Sequence, residues 1–503
     1  MDADVLIVGS GAGGGTLARA LADSGLRILI LERGDYLPRE WGNWDPQTVF
    51  ASYRYHTEET WGDGNGQPFH PVTGYHVGGN TKFYGAAILR RRPTDFQERR
   101  HVDGVTPAWP IRYEDLAPHY DTAEHWYFAH GAAGSDPTEG PRGPYPFPPM
   151  PHEEDVALVD TALRAQGYHP FPLPLALHRL EDDPAQSPCV RCPACDGFPC
   201  LVHAKGDAEL CGVRPALQHA NVTLLRNERV RRILLAEDGR RVSGVETDQH
   251  RYHARLVVLA AGAVNSAALL LASRSETFPN GIANRSDQVG RNYMCHLNSA
   301  CMAIKITREN RSIFQKTLAL NDFYEDSGDP DYPYPLGHIQ GLGKVTPALL
   351  HAQRPRWPIP MTAWAASHSV DWWLTTEDLP SPENRVTLDE RGGIQLHWQP
   401  KNRESHRRLC AKWQDILQKI GFSLVFFQSM DISATAHQVG TCRFGDDPQT
   451  SVLDRNCKAH DLDNLYVVDA SFMPSISAVN PSLTIMANAI RVASVLRERL
   501  RSS

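Results

Sequence analysis

A chain of 503 residues is longer than one compact core and is expected to fold as two or more domains. Its net charge of -7, with no extended basic cluster, excludes a nucleic-acid binder as the leading class, and nucleic acid is not an expected partner. No stretch approaches the ~18 consecutive apolar residues of a membrane span. The first apolar run starts almost at Met1, with no signal peptide before it, so a soluble, cytoplasmic protein is expected.

The first element read from the chain is a short buried strand, Val5 to Val8. It runs into Gly9-Ser10-Gly11-Ala12-Gly13-Gly14 and then a helical pattern from Thr16 to Ala22. A second strand, Arg27 to Leu31, ends on Glu32, 18 positions after Gly14. Strand, glycine turn, helix and an acid at that distance form the first half of a dinucleotide-binding βαβ unit. Gly9 permits the tight turn, Gly11 lets the backbone approach a pyrophosphate, and Gly14 lets the helix pack on the strand. The helix N-terminus offers N–H groups and a positive dipole end to the phosphates. NAD and FAD both use such a loop, so the motif alone leaves the two open.

The next hundred residues are rich in Gly, Pro and aromatics, including Trp41, Trp44, Trp61 and Trp109. Residues 40–70 are expected to form a lid, and Gly134 to Pro151 a connector. Cys189, Cys192, Cys195 and Cys200, with Cys211 beyond, concentrate half of the ten cysteines. Three readings stand for this cluster: an iron–sulfur site, a zinc site, or a packed or disulfide-closed loop, and no metal is assigned. The α/β pattern returns with strands at Val222, at Val230 to Leu235 and at Leu256 to Ala261, then a helix from Asn265 to Ala272. Alternating segments between Ser299 and Gln399, such as Asn384 to Leu388 and Gly393 to Trp398, read as antiparallel strands. Leu465 to Asp469 is a last strand, and a helix from about Ser482 to Leu500 closes the chain.

Six blocks in order make the sequence resemble the glucose–methanol–choline (GMC) family of FAD-dependent oxidoreductases. They are the glycine loop with Glu32; Val77-Gly78-Gly79-Asn80-Thr81; Trp109 to Pro118 with Tyr120; Leu259 to Ser266; Val289-Gly290-Arg291-Asn292; and His437-Gln438-Val439-Gly440-Thr441 paired with Asn480 to Thr484 through Val468 to Ser471. The His/Asn-Pro pattern is similar to that of bacterial sugar and alcohol dehydrogenases and pyranose-oxidase-like members.

The resemblance implies an α/β fold: a discontinuous Rossmann-like FAD-binding domain carrying an inserted α+β substrate domain on an antiparallel sheet. Residues 1–90, 205–298 and 430–503 are expected in the first, and 91–204 and 299–429 in the second. It implies FAD-dependent oxidation of a CH–OH group of a sugar, glycoside or other alcohol. His437 would take the hydroxyl proton and Asn480, 43 positions later, would orient the substrate oxygen. By the same resemblance Gly9, Gly11, Gly14, Glu32, Gly79, Asn80, Val230, Asp469, Pro481 and Thr484 contact the cofactor. Glu32 holds the adenosine ribose, Val230 meets the adenine through its backbone, Asp469 faces the pyrophosphate and ribityl chain, and Thr484 lies at the pyrimidine edge of the flavin. The loop after Asn80 reads Lys82-Phe83-Tyr84 without His, which implies non-covalent FAD. The partners implied are a small alcohol or sugar and an electron acceptor, oxygen or a redox carrier. A flavin-containing lyase of the same family and an NAD-dependent dehydrogenase stand as alternative readings. Among the aromatics, Trp364, Trp372, Trp373 and Trp398 are candidates for stacking on a sugar ring.

Overall fold

The computed structural model describes residues 2–434 and 437–501. Its largest sheet has seven strands. Val222–Leu225, Ile28–Leu31, Asp2–Val8 and Arg251–Leu259 lie side by side in that order and run parallel. Leu465–Val467 adds a further parallel strand against the end of Arg251–Leu259, and Val242–Thr247 and Val230–Leu235 extend the sheet antiparallel. The central strands read Val-Leu-Ile-Val, Ile-Leu-Ile-Leu and Leu-Val-Val-Leu because both of their faces are buried, which suits continuous apolar runs. Segments from the start, middle and end of the sequence therefore meet in one sheet.

The Ala12–Leu21 helix and the long C-terminal helix Ser482–Arg501 pack on each other beside this sheet. Ala263–Ala272 follows directly from the Arg251–Leu259 strand. The expected helices and strands of this layer are all present, with ends within about five residues of those read from the pattern.

A second sheet has six strands, in the order Leu424–Ser429, Leu297–Ile304, Ser369–Thr376, His338–Gly341, Leu318–Leu320 and Phe171–Pro172. All its pairings are antiparallel. Helix Arg403–Lys419 covers one face, and Trp372 meets Trp413 there edge-on at 4.9 Å between ring centroids. The opposite face looks into the cavity described below. Asn384 to Leu388 and Ile394 to His397 do form a hairpin, but it belongs to a separate small sheet with Trp61–Asp63 and Pro68–Phe69.

Three backbone approaches fix the glycine loop. A Cβ on Gly9 would lie 2.5 Å from the Ala260 carbonyl oxygen, one on Gly13 2.3 Å from that of Val468, and one on Gly14 2.0 Å from that of Gly9. These contacts are to backbone, so no side chain can yield. Gly13→Ala is expected to destabilise the protein by about 1–3 kcal/mol through overpacking. It should also lower FAD retention, both read by thermal melting and by flavin absorbance of the purified variant. A variant with wild-type melting and full flavin content would contradict this account of the loop.

Candidate active site

A cavity of about 1250 Å³ runs from the glycine loop to the inner face of the antiparallel sheet. At one end lie Gly9 to Gly13, Glu32, and Glu228 to Arg231, including Val230. The Ala12–Leu21 helix points its N-terminus here with no side-chain cap and no acidic residue in its first turn, which leaves the end open to an anion. Gly11 has only the Gly79 Cα near its missing Cβ, at 3.8 Å, so two glycine backbones face each other across the groove. This bare, positively polarised cradle fits the pyrophosphate of a dinucleotide.

Glu32 is buried and does two things. Its Oε2 accepts from the Ser10 amide at 3.1 Å and hydroxyl at 2.6 Å, and its Oε1 accepts from the Gly34 amide at 2.9 Å. It thereby ties the glycine loop to the end of the second strand while lining the cavity. Asp469 also lines it, and accepts from the Ser471 amide and hydroxyl and from the Gly262 amide. Burial raises the Asp469 carboxyl above its ordinary value, opposed by these donors and by Ser266. Asn80 lines the middle of the cavity, its amide bound reciprocally to the Thr73 hydroxyl and accepting from the Gly74 amide.

The far part of the cavity brings His437 and Asn480 together, with Pro481 beside them. Asn480 Nδ2 lies 3.4 Å from His437 Nε2, while the buried Asn480 Oδ1 has no hydrogen-bond partner. Asn480 therefore presents a donor, Nδ2–H, beside the His437 ring and an acceptor, Oδ1, that the protein itself does not use. His437 adopts a left-handed backbone, φ +65°, uncommon for a side chain with a Cβ and frequent where a side chain must be aimed into a site. Burial, then the positive charge of Lys316, lowers its pKa to about 4, so the imidazole is neutral at physiological pH. A neutral imidazole can take a proton.

His437 Nδ1 meets a second imidazole, His296 Nδ1, at 2.9 Å, and His296 Nε2 lies 2.7 Å from the Ser477 carbonyl oxygen. Sequence reasoning missed His296. The available signal was its place four residues after the Val289 to Asn292 block, as a lone polar ring in an otherwise apolar run.

Two expected cofactor residues are placed differently. Thr484 is fully buried and off the cavity, its hydroxyl 2.8 Å from that of Tyr120. Its helix turns Pro481, Ser482 and Ile485 to the cavity, and Thr484 lies on the face packed against Tyr113–Trp126. Gly14 does not line the cavity either; it serves the helix–strand contact described above. Of the four candidate stacking tryptophans only Trp373 reaches the cavity. Trp372 faces the other side of the sheet, Trp398 donates to Asp378 at 2.8 Å, and Trp364 stacks on His368. Phe50, Tyr53, His56 and Trp61 of the expected lid do line the cavity.

The cysteine segment forms part of the cavity wall through Pro193, Asp196, Gly197 and Phe198. Its cysteines are free thiols, and among the described residues no group of three or more His, Cys, Asp or Glu side chains is arranged to hold a metal ion. Burial pushes the Cys189 thiol up to about 11 and Cys195 to about 12. The arrangement is that of a packed loop: Cys189 and Cys195 join the main core, and Cys192 packs with Phe50 and Phe198.

A parallel sheet with a glycine cradle, continuous with a half-buried His–Asn pair under an antiparallel sheet, suits a dinucleotide-dependent oxidoreductase. Family models for the N-terminal and C-terminal parts of the GMC oxidoreductases match residues 3–298 and 380–489. The chain belongs to the GMC oxidoreductase family, whose members depend on FAD, and is an enzyme acting on alcohol groups. It is 32% identical to paromamine 6'-oxidase of Streptomyces fradiae, over 97% of this chain and 90% of that protein. It is also 32% identical to 6'''-hydroxyparomomycin C oxidase of Streptomyces lividus, over 99% of this chain and 92% of the other. The crystal structure of pyridoxine 4-oxidase from Mesorbium loti has the same fold, with a TM-score of 0.68 at 20% identity, covering 98% of this chain and 99% of that one. Among the described residues no helix is long and apolar enough to cross a membrane.

Burial also lowers His338 to about 3 and His406 to about 4. Together with His437, these rings stay neutral in the fold while the unfolded chain protonates them near pH 6.5. The unfolded state therefore binds more protons between about pH 6.5 and 4, and their stabilising contribution, full above 6.5, is lost as pH falls through that window. The melting temperature of the holoenzyme should fall steadily from pH 6.5 to 4. The variant His406→Gln, at a ring that does not line the cavity, should show a shallower slope. Parallel slopes for the two proteins would refute the assignment to buried histidines.

Proposed function

We propose that this enzyme oxidises a hydroxyl-bearing carbon of an amino-sugar glycoside to the carbonyl, with His437 as the proton acceptor and Asn480 as the group that orients the substrate oxygen. The observation that carries this reading is the neutral, half-buried His437 imidazole with Asn480 Nδ2 at its Nε2, in a cavity continuous with the glycine cradle. Bound FAD supplies the acceptor for the hydride. The substrate hydroxyl enters between His437 Nε2 and Asn480, gives its proton to Nε2, and has its oxygen held by the Asn480 Nδ2–H. The cradle residues, with Glu32 and Asp469, would hold the dinucleotide end of the cofactor, in the same cavity as His437 and Asn480.

The substrate class is inferred from the two Streptomyces relatives, both named as oxidases of this kind of compound, and from the roof of the cavity. Gln428, Ala300, Trp373 and Gln340 stand opposite one another across four adjacent strands, and all four line the cavity. An indole flanked by two amides and a small residue offers an apolar surface for the C–H face of a sugar ring and hydrogen-bonding groups for its substituents. Lys316, paired with Asp196 of the cysteine segment, borders the same space. FAD is held without a covalent bond in this reading. Lys82 is buried between Asp207 and Glu209, at 2.8 and 2.6 Å, and the His76 ring is bound to the Tyr55 carbonyl oxygen.

His437→Ala should bind FAD normally yet reduce it about 10²–10⁴-fold more slowly under anaerobic conditions, as expected for a lost general base. Wild-type rates in that variant would sink the assignment. Bleaching of the oxidised flavin by paromamine-type amino sugars, but not by simple aliphatic alcohols, is the result expected from a substrate panel. Bleaching by the simple alcohols alone would reverse the substrate class. Acid precipitation should release the flavin into the supernatant; flavin retained in the pellet would contradict non-covalent binding.

A further inference from the structure

We propose that His296 is a positioning residue that holds His437 in the tautomer with its proton on Nδ1 and its lone pair on Nε2. This rests on the reading of His437 as the proton acceptor and extends it to a residue that does not touch the substrate.

The inference follows from donor and acceptor chemistry. The Ser477 carbonyl oxygen can only accept, so His296 Nε2, 2.7 Å away, carries a hydrogen. A neutral imidazole has one N–H, which leaves His296 Nδ1 bare. His437 Nδ1, 2.9 Å from that bare nitrogen, must then donate to it. A neutral His437 consequently has no hydrogen on Nε2, the atom beside Asn480. The tautomer of one ring is set by the bond its other nitrogen makes, and here the constraint passes through a second ring. Reversing any link would place two hydrogens, or two lone pairs, against each other.

The sequence of contacts needs His296 to stay neutral, and its surroundings provide that. The ring is 2% exposed, and burial drives its pKa well below the ordinary value, reinforced by His437 and Arg91 and opposed by the Ser477 bond and Glu377. Lys316 and His338 are the charged or titratable groups that bear on His437 from the substrate side. The Ser477 carbonyl is itself fixed. The Arg91 guanidinium donates to the carbonyls of Ser475 and Ile476 at 3.0 and 2.9 Å, and lies over the Trp109 ring, 4.5 Å from its centroid. Trp109 Nε1 donates to the Ser475 hydroxyl at 2.7 Å, and Ser477 takes a left-handed backbone with φ +56°. The same strap continues three residues on to Asn480, so one short segment sets both the tautomer of His437 and the group opposite it.

Two variants separate positioning from simple packing. His296→Leu fills similar space but cannot accept from His437 Nδ1. His296→Asn places Oδ1 where the Nδ1 lone pair was. The Leu variant should keep FAD and lower the rate constant of anaerobic flavin reduction at saturating substrate by about 10²-fold, with the substrate concentration for half-saturation changed by less than about threefold. The Asn variant should recover about tenfold or more of that loss. A direct readout needs no variant at position 296. In 15N-histidine-labelled holoenzyme at neutral pH, the signals absent from His437→Ala should show a protonated Nδ1 and an unprotonated Nε2. A protonated Nε2, equal impairment of the Leu and Asn variants, or wild-type flavin reduction in the Leu variant would each overturn the proposal. If His437→Ala reduces flavin at the wild-type rate, the reading under the previous heading fails, while the nitrogen tautomer still decides the contact between the two rings.

Discussion

The site depends on three backbone-to-backbone contacts around the glycine loop. Gly9 lies against Ala260, Gly13 against Val468, and Gly11 against Gly79. Each joins the N-terminal segment to a part of the chain about 70 to 460 residues away. They matter because a loop that presents its own N–H groups to an anion cannot also be held by side chains on that face. Holding it through bare backbone leaves the cradle open and the helix dipole unscreened. The long-range pairings of the parallel sheet are what bring those partners into reach, so the fold must be largely complete before the cradle exists.

A second consequence concerns charge. Buried ions are held in pairs at and behind the cavity wall: Lys316 against Asp196 on the wall itself, and, off it, Lys82 between Asp207 and Glu209 and Arg99 with Glu377. Such pairs contribute little net stability, because desolvation offsets much of their attraction, but breaking one strands a charge at a cost of several kcal/mol. Their effect is to fix loops that have few apolar side chains of their own. Lys316 and Asp196 attach the cysteine-rich wall to the antiparallel domain, and Lys82 fastens the loop carrying Asn80 to the segment after Lys205. Arg91 differs, since it holds carbonyls rather than a carboxylate. Its charge is then free to keep the neighbouring His296 neutral.

Much of this was legible before the structure, and the parts that were not share a cause. The strand, glycine turn and helix at the N-terminus obey local rules, and so do the apolar strands, because their residues are buried on both faces. His437 and Asn480 were found through their positions in motifs. Thr484 belongs to the Asn480 block in sequence, but direction on a helix depends on which neighbour it packs against, and Tyr120 claims that face. The adjacent tryptophans 372 and 373 show the same limit. Alternation along a strand guarantees that they point to opposite sides, yet only the position of the Arg403–Lys419 helix decides which side is core. The cysteine spacing likewise could not reveal that the segment opens into a wall with its thiols turned into different packing environments. His296 was invisible because its meaning lies in a ring 141 positions away.

The neutral state of His437 connects these observations. A base with a pKa near 4 is weak, and in water it would be a poor choice for removing an alcohol proton. In the buried site its weakness comes from desolvation and from Lys316, both of which act on the imidazolium. Covering the cavity with a substrate would strengthen the first. In the proposed reaction the arrangement is favourable only if proton removal is coupled to loss of hydride from the same carbon, because the carbonyl that results no longer competes for the proton. A ring held in one tautomer, aimed by a left-handed backbone and faced by an amide that cannot itself accept the proton as a base, suits that coupling. It prepares the geometry of transfer and leaves the driving force to the oxidation.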